Sequence, residues 1–75
     1  MLKRSVALKK RLWSGETTIG SWLSFSNLNV AEILAGTGFD WVLIDGEHGP
    51  FHIGGVQTVL AGFNGSPAVP IVRVP

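Results

Sequence analysis

The sequence predicts an α/β protein whose strands run parallel, and three observations predict it. Short runs rich in β-formers fall at 17–25, 40–45 and 69–74, and the apolar run 41–44 is too short for a helix. The stretches around them carry apolar residues at helical spacing, as Ile53, Val56, Val59, Leu60 and Phe63 do. The segments linking successive runs are long enough for the crossover that parallel pairing requires. The predicted order is α-β-α-β-α-β.

The first element is an amphipathic helix over 2–13, closed by Ser14-Gly15. Thr17 to Phe25 alternates roughly between polar and apolar residues and predicts a strand ending near Ser24. After the polar Ser26-Asn27-Leu28-Asn29, Asn29 is placed to cap a second helix, with Glu32 three residues on to complete a capping box. That helix stops in Gly36-Thr37-Gly38, where glycine tolerates a left-handed backbone. Trp41-Val42-Leu43-Ile44 then reads as a strand buried on both faces. It runs into Asp45-Gly46-Glu47-His48-Gly49-Pro50, a turn by composition. A third helix is predicted over 52–63, with Gly54 and Gly55 weakening its first turn, and a third strand over 69–74.

Composition narrows the class. The chain has 75 residues, 45% hydrophobic and 15% charged, with no cysteine and a mean hydropathy of +0.33. These are the proportions of a larger protein's interior, since a domain this small normally carries more charge or disulfides. Residues 1–75 are therefore expected to be the N-terminal portion of a single larger domain. The absence of cysteine is compatible with a cytoplasmic protein. Five of the six basic residues lie in the first eleven positions, interleaved with Leu2, Val6 and Leu8. At helical spacing these charges read as a solvated helix face, which argues against nucleic acid or membrane as partners. Lys9-Lys10-Arg11 interrupts any secretory apolar core, the acid-free basic start resembles a mitochondrial transit peptide only weakly, and no run reaches membrane-spanning length.

Three parallel strands need helices on their faces and partners on their edges. The two common completions are a (β/α)8 barrel and a doubly wound sheet. No Gly-x-Gly-x-x-Gly follows a strand and no phosphate loop is present. The expectation is an N-terminal fragment of a (β/α)8 TIM barrel.

In such folds chemistry gathers where parallel strands end. Side chains alternate across a strand, so Trp41, Leu43 and Asp45 share one face, as do Val69, Ile71 and Arg73. Asp45 and Arg73 each terminate their set and are expected at one barrel mouth. The Arg73 fork suits a carboxylate or a developing enolate oxygen; pairing structurally with Asp45 is the alternative. His48 is a candidate proton-transfer group, or else an exposed loop histidine. His52 reads as a bystander. Asp45, Glu47 and His48 are too few to make a convincing metal site. Trp22, near the end of the first strand, either walls a pocket or fills the core.

Residues 38–50, Gly-Phe-Asp-Trp-Val-Leu-Ile-Asp-Gly-Glu-His-Gly-Pro, are followed by Val56-Gln57-Thr58 and Pro70-Ile71-Val72-Arg73-Val74-Pro75. Together these resemble the metal-dependent (class II) pyruvate aldolases. That family includes the 2-keto-3-deoxy sugar-acid aldolases, such as 2-dehydro-3-deoxyglucarate aldolase, and the 4-hydroxy-2-oxoheptanedioate aldolases. Ile19-Gly20-Ser21-Trp22 and the stretch from Ala31 to Gly38 also sit where the family has similar segments.

The resemblance implies reversible cleavage of a 4-hydroxy-2-oxo acid to pyruvate and an aldehyde, with small molecules as partners and a homo-oligomeric, hexameric assembly. It makes His48 the general base, Arg73 the stabiliser of the enolate and a substrate contact, Trp22 a wall of the substrate pocket, and Asp45 a partner near metal-bound water. The divalent metal (Mg2+, Mn2+ or Co2+) would take its ligands, a glutamate and an aspartate, from later strands, with none in this chain. The chain alone is then expected to be inactive. Two other classes stay open: a non-catalytic assembly piece, and a metal-dependent barrel hydrolase using Asp45, Glu47 and His48 as ligands.

Overall fold

The computed structural model describes residues 2–47 and 52–74. Helix α1 (Leu2–Trp13) is followed by strand β1 (Gly20–Leu23), helix α2 (Leu28–Gly36), strand β2 (Trp41–Asp45), helix α3 (Ile53–Ala61) and strand β3 (Val69–Arg73). The three strands form one parallel sheet in the order β1-β2-β3. The α/β alternation read from the sequence is therefore the fold observed.

Register divides the sheet into two faces. Leu23, Ile44 and Val72 are aligned across the three strands. This row faces the helices: Leu23, Val42 and Ile44 are buried against Ala31 and Ala35 of α2, Val59 of α3, and Phe63 and Ala68 beyond it. The small residues let the helices come close, since a Cβ at Gly62 would stand only 3.0 Å from the Cβ of Ala31. Burying apolar side chains of this size stabilises by about 1.5–3 kcal/mol each. The opposite face carries the aligned row Trp22, Leu43 and Ile71, and Trp22 and Ile71 remain exposed. Lower on that face the Trp41 indole lies over its paired neighbour Gly20, where a Cβ would meet the ring at 2.1 Å. Its Nε1 donates to Thr18 Oγ1 at 3.2 Å.

Helix α1 closes the N-terminal edge of the sheet. Arg4 Nη1 donates to the carbonyls of Phe63, Ser66 and Ala68, just ahead of β3. Arg11 pairs with Glu16, and its Nη2 stands 2.9 Å from Asp40 Oδ1, just ahead of β2. The reading of the basic face as solvated thus holds for Lys3, Lys9 and Lys10, which are exposed, but not for the two arginines. Carbonyls and a carboxylate at strand starts are good acceptors for guanidinium donors, and the periodicity of α1 alone does not show them.

The element boundaries differ from expectation most at α2 and β1. The cap of α2 is Asn27, not Asn29: its backbone is extended and its Oδ1 accepts from Val30 N at 3.1 Å. With Asn27 at the cap, Asn29 falls in the first turn and Glu32 is too far along to close a capping box. Strand β1 starts at Gly20 rather than Thr17, because Ile19 N donates to the Asp40 side chain at 2.8 Å. Helix α3 tolerates Gly54 and Gly55 in its first turn, because His52 caps it. Gly38 has φ +97°, the left-handed stop foreseen after α2.

Candidate active site

Asp45 and Arg73 are the last residues of β2 and β3, and the parallel register pairs them directly. Arg73 Nε donates to Asp45 Oδ1 at 3.2 Å and Nη2 donates to Oδ2 at 2.7 Å. This is the two-pronged guanidinium–carboxylate grip. Asp45 is only 4% exposed, while the Arg73 side chain keeps 36% of its surface. A buried carboxylate is costly unless several donors meet it. Here the Glu47 backbone N–H donates to Oδ1 at 3.0 Å, and Trp22 Nε1 donates to Oδ2 at 3.4 Å. The hydrogen bond to Asp45 raises the Arg73 pKa above its ordinary value, with smaller contributions from the charges of Asp45 and Glu47 and opposed by burial.

Trp22 and Glu47 complete the surroundings of the guanidinium. The Trp22 ring centroid lies 5.3 Å from Arg73 Cζ, within cation–π range. Glu47 Oε1 stands 3.9 Å from Arg73 Nε. Gly46 begins the turn after β2, its N–H donating to the Arg73 carbonyl at 2.9 Å. A Cβ there would come within 2.9 Å of that same oxygen, so the turn needs glycine for close approach.

The expected meeting of Asp45 and Arg73 at one end of the sheet is therefore seen, and all three strands contribute to it. Parity read from the sequence placed each residue at the end of its own strand's set, and the register of β2 with β3 makes the two sets one face. Parity did not show that the Trp22 indole reaches from its own layer up to Asp45. His48, the expected general base, lies outside the described residues. His52 is more than a bystander: its Nδ1 accepts from Gly55 N at 3.2 Å and caps α3. A polar residue just ahead of an apolar helical stripe was the signal for that role.

A cavity of about 270 Å³ opens beside the pair, its lining including Gly46, Ile53, Val56, Gln57, Val72 and Arg73. Val72 belongs to the helix-facing row, which puts the cavity between α3 and β3 rather than over the carboxylate. Among the described residues, no three of His, Cys, Asp and Glu stand together as a metal ligand set. Asp45 is moreover directed at donors from Arg73, Trp22 and Glu47. Among the described residues, no helix is long and apolar enough to cross a membrane.

The fold and this cluster define an α/β protein of parallel strands with a guanidinium–carboxylate pair at the C-terminal edge. The pattern of the HpcH/HpaI aldolase/citrate lyase family matches residues 18–75, and the chain belongs to that family. It is 48% identical over 67 residues to the 4-hydroxy-2-oxo-heptane-1,7-dioate aldolase of Salmonella dublin. It is 45% identical over 67 residues to the hydroxypyruvate/pyruvate aldolase of Roseobacter denitrificans. Each match takes in 89% of this chain and 26% of the relative. The crystal structure of a HpcH/HpaI aldolase/citrate lyase family protein from Burkholderia cenocepacia superposes with a TM-score of 0.81 at 39% identity, over 92% of this chain and 28% of that one. The chain spans about a quarter of the length of these relatives.

Proposed function

We propose that residues 1–75 supply the first three strands of a single barrel domain that catalyses reversible aldol cleavage of a 4-hydroxy-2-oxo acid to pyruvate and an aldehyde. The substrate would be of the 2-keto-3-deoxy sugar-acid or 4-hydroxy-2-oxoheptanedioate type. The names of the Salmonella and Roseobacter relatives support this class of reaction. The observation that carries the reading is the Arg73 guanidinium at the end of β3, oriented by Asp45.

In the cleavage direction the bond between C3 and C4 breaks. Its electron pair moves onto the pyruvate portion as an enolate, with charge on the former ketone oxygen. A preorganised cation at that oxygen lowers the barrier because the charge develops only in the transition state. Arg73 is assigned that role, and Trp22 beside it walls the substrate pocket. His48 takes the C4 hydroxyl proton, leaving the aldehyde, and a proton delivered to C3 completes pyruvate. Asp45 keeps the guanidinium aimed. A bound divalent cation (Mg2+, Mn2+ or Co2+) would supply chelation of the 2-oxo acid. The described residues hold no ligand set for it, and each step above runs through the protein's own groups. A cytoplasmic homo-oligomer belongs to the same reading.

The test is deuterium exchange into the methyl group of pyruvate, followed by proton NMR in D2O with the full-length protein and no aldehyde. Enolate formation predicts loss of the methyl signal, and a sharp slowing of that loss in His48→Ala. Absence of exchange in the wild type overturns the aldolase assignment. Loss of bound metal in His48→Ala would instead make His48 a ligand, as the hydrolase alternative requires.

A further inference from the structure

Trp22 belongs to β1, yet it touches both members of the pair made by β2 and β3. Its register partners are Leu43 and Ile71, one layer below Asp45 and Arg73. The indole spans that step, donating from Nε1 to Asp45 Oδ2 at 3.4 Å while its ring lies 5.3 Å from Arg73 Cζ. Among residues 2–47 and 52–74 Trp22 is 51% exposed, on the face opposite the helices. Among the described residues, each carboxylate oxygen of Asp45 is held by two donors. Oδ1 receives Arg73 Nε and the Glu47 N–H, and Oδ2 receives Arg73 Nη2 and the Trp22 N–H. The Glu47 contact is a backbone turn and comes with the end of β2. The Trp22 contact is a side chain's, and the same ring meets the guanidinium.

We propose that Trp22 is a positioning residue for Arg73. Its N–H fixes the rotation of the Asp45 carboxylate and its ring fixes the guanidinium, so that one side chain sets where the fork stands. The inference rests on the reading of Arg73 as the group that stabilises the enolate. It adds to the role of pocket wall a role exerted through Arg73, and the two roles separate kinetically. A wall contacts substrate and transition state alike, so its loss raises KM. Displacing a group that acts on developing charge lowers kcat.

The experiment is steady-state cleavage kinetics on the full-length protein carrying Trp22→Leu, Trp22→Phe, Arg73→Lys and the Trp22→Leu/Arg73→Lys pair, each checked for folding by circular dichroism. Trp22→Leu, which loses both contacts, is expected to lower kcat about tenfold with KM for the 2-oxo acid nearly unchanged. Trp22→Phe, which keeps a ring but no N–H, should fall between it and wild type. The double variant should be no slower than Arg73→Lys alone, because Trp22 acts through the fork. A rise in KM at unchanged kcat, or additive losses in the double variant, overturns the proposal. Should Trp22→Leu fail to fold, Trp22→Phe with Arg73→Lys carries the same cycle, and wild-type kcat in Trp22→Phe then overturns it. Wild-type kcat in Arg73→Lys removes the underlying assignment of Arg73, a different failure read from a different variant, and the inference with it.

Discussion

Arg73 stands directly opposite Asp45 at the final step of two adjacent parallel strands, and its guanidinium spans both carboxylate oxygens. Such a pairing places a permanent positive charge at the strand ends with its direction fixed by the sheet. A lysine could supply the charge but not the fork.

Arg73→Lys in the full-length protein is accordingly expected to slow aldol cleavage while the fold persists. A hydrogen bond to a charged group contributes about 1.5–3 kcal/mol. At about 1.4 kcal/mol per decade this is roughly ten- to a hundredfold in kcat/KM. Unchanged kcat/KM, measured alongside an unchanged circular dichroism spectrum, would leave Arg73 a structural partner of Asp45.

Gly46→Ala tests the turn that presents the site. The added methyl would sit 2.9 Å from the Arg73 carbonyl oxygen, and backbone yields less readily than a side chain. The expected cost is about 1–3 kcal/mol from overpacking, with the Gly46-to-Arg73 hydrogen bond lengthened. Chemical denaturation reads the stability, and wild-type stability would show that the turn can move aside without loss.

His52→Ala removes the cap of α3, and capping losses run at about 0.5–2 kcal/mol. His52→Asn restores an acceptor at the same place and should recover most of the loss. Equal stability of the Ala and Asn variants would show that the Nδ1 contact with Gly55 contributes nothing.

Asp40 links acid stability to the N-terminal edge. Its pKa is lowered first by the Ile19 N–H and then by Arg11, against burial. A carboxylate depressed on folding stabilises above its unfolded pKa, and that contribution is lost as pH falls through the folded value. The protein should therefore lose stability as pH drops below about 4. Asp40→Asn should be less stable at neutral pH and show a shallower decline across that acidic window. Thermal melts between pH 2 and 7 check it, and parallel slopes for the two proteins would exclude the Asp40 contribution.

Much of this chain was legible in order of residues alone. Local patterns settled the helices and strands, because the apolar run at 41–44 and the spaced Ile53, Val56 and Val59 differ in period whatever surrounds them. Strand parity also grouped Asp45 with Trp41 and Leu43, and Arg73 with Val69 and Ile71, each within its own strand. The family followed from the motif around Asp45 and from residues 70–75, and the match over residues 18–75 shows it.

What the structure decided were one local choice of cap and the contacts between residues far apart in the chain. Which asparagine caps α2 depended on where the backbone turned extended, at Asn27. Arg4 and Arg11 look like surface charges in α1 until the starts of β3 and β2 are brought against them. The grip of Arg73 on Asp45 required β2 and β3 to pair in this register, and a one-residue slip would have turned one side chain to the other face. Trp22 reaches Asp45 across the β1–β2 pairing, 23 residues away in sequence. Periodicity reports which face a side chain takes; only the paired strands determine which neighbours it meets there.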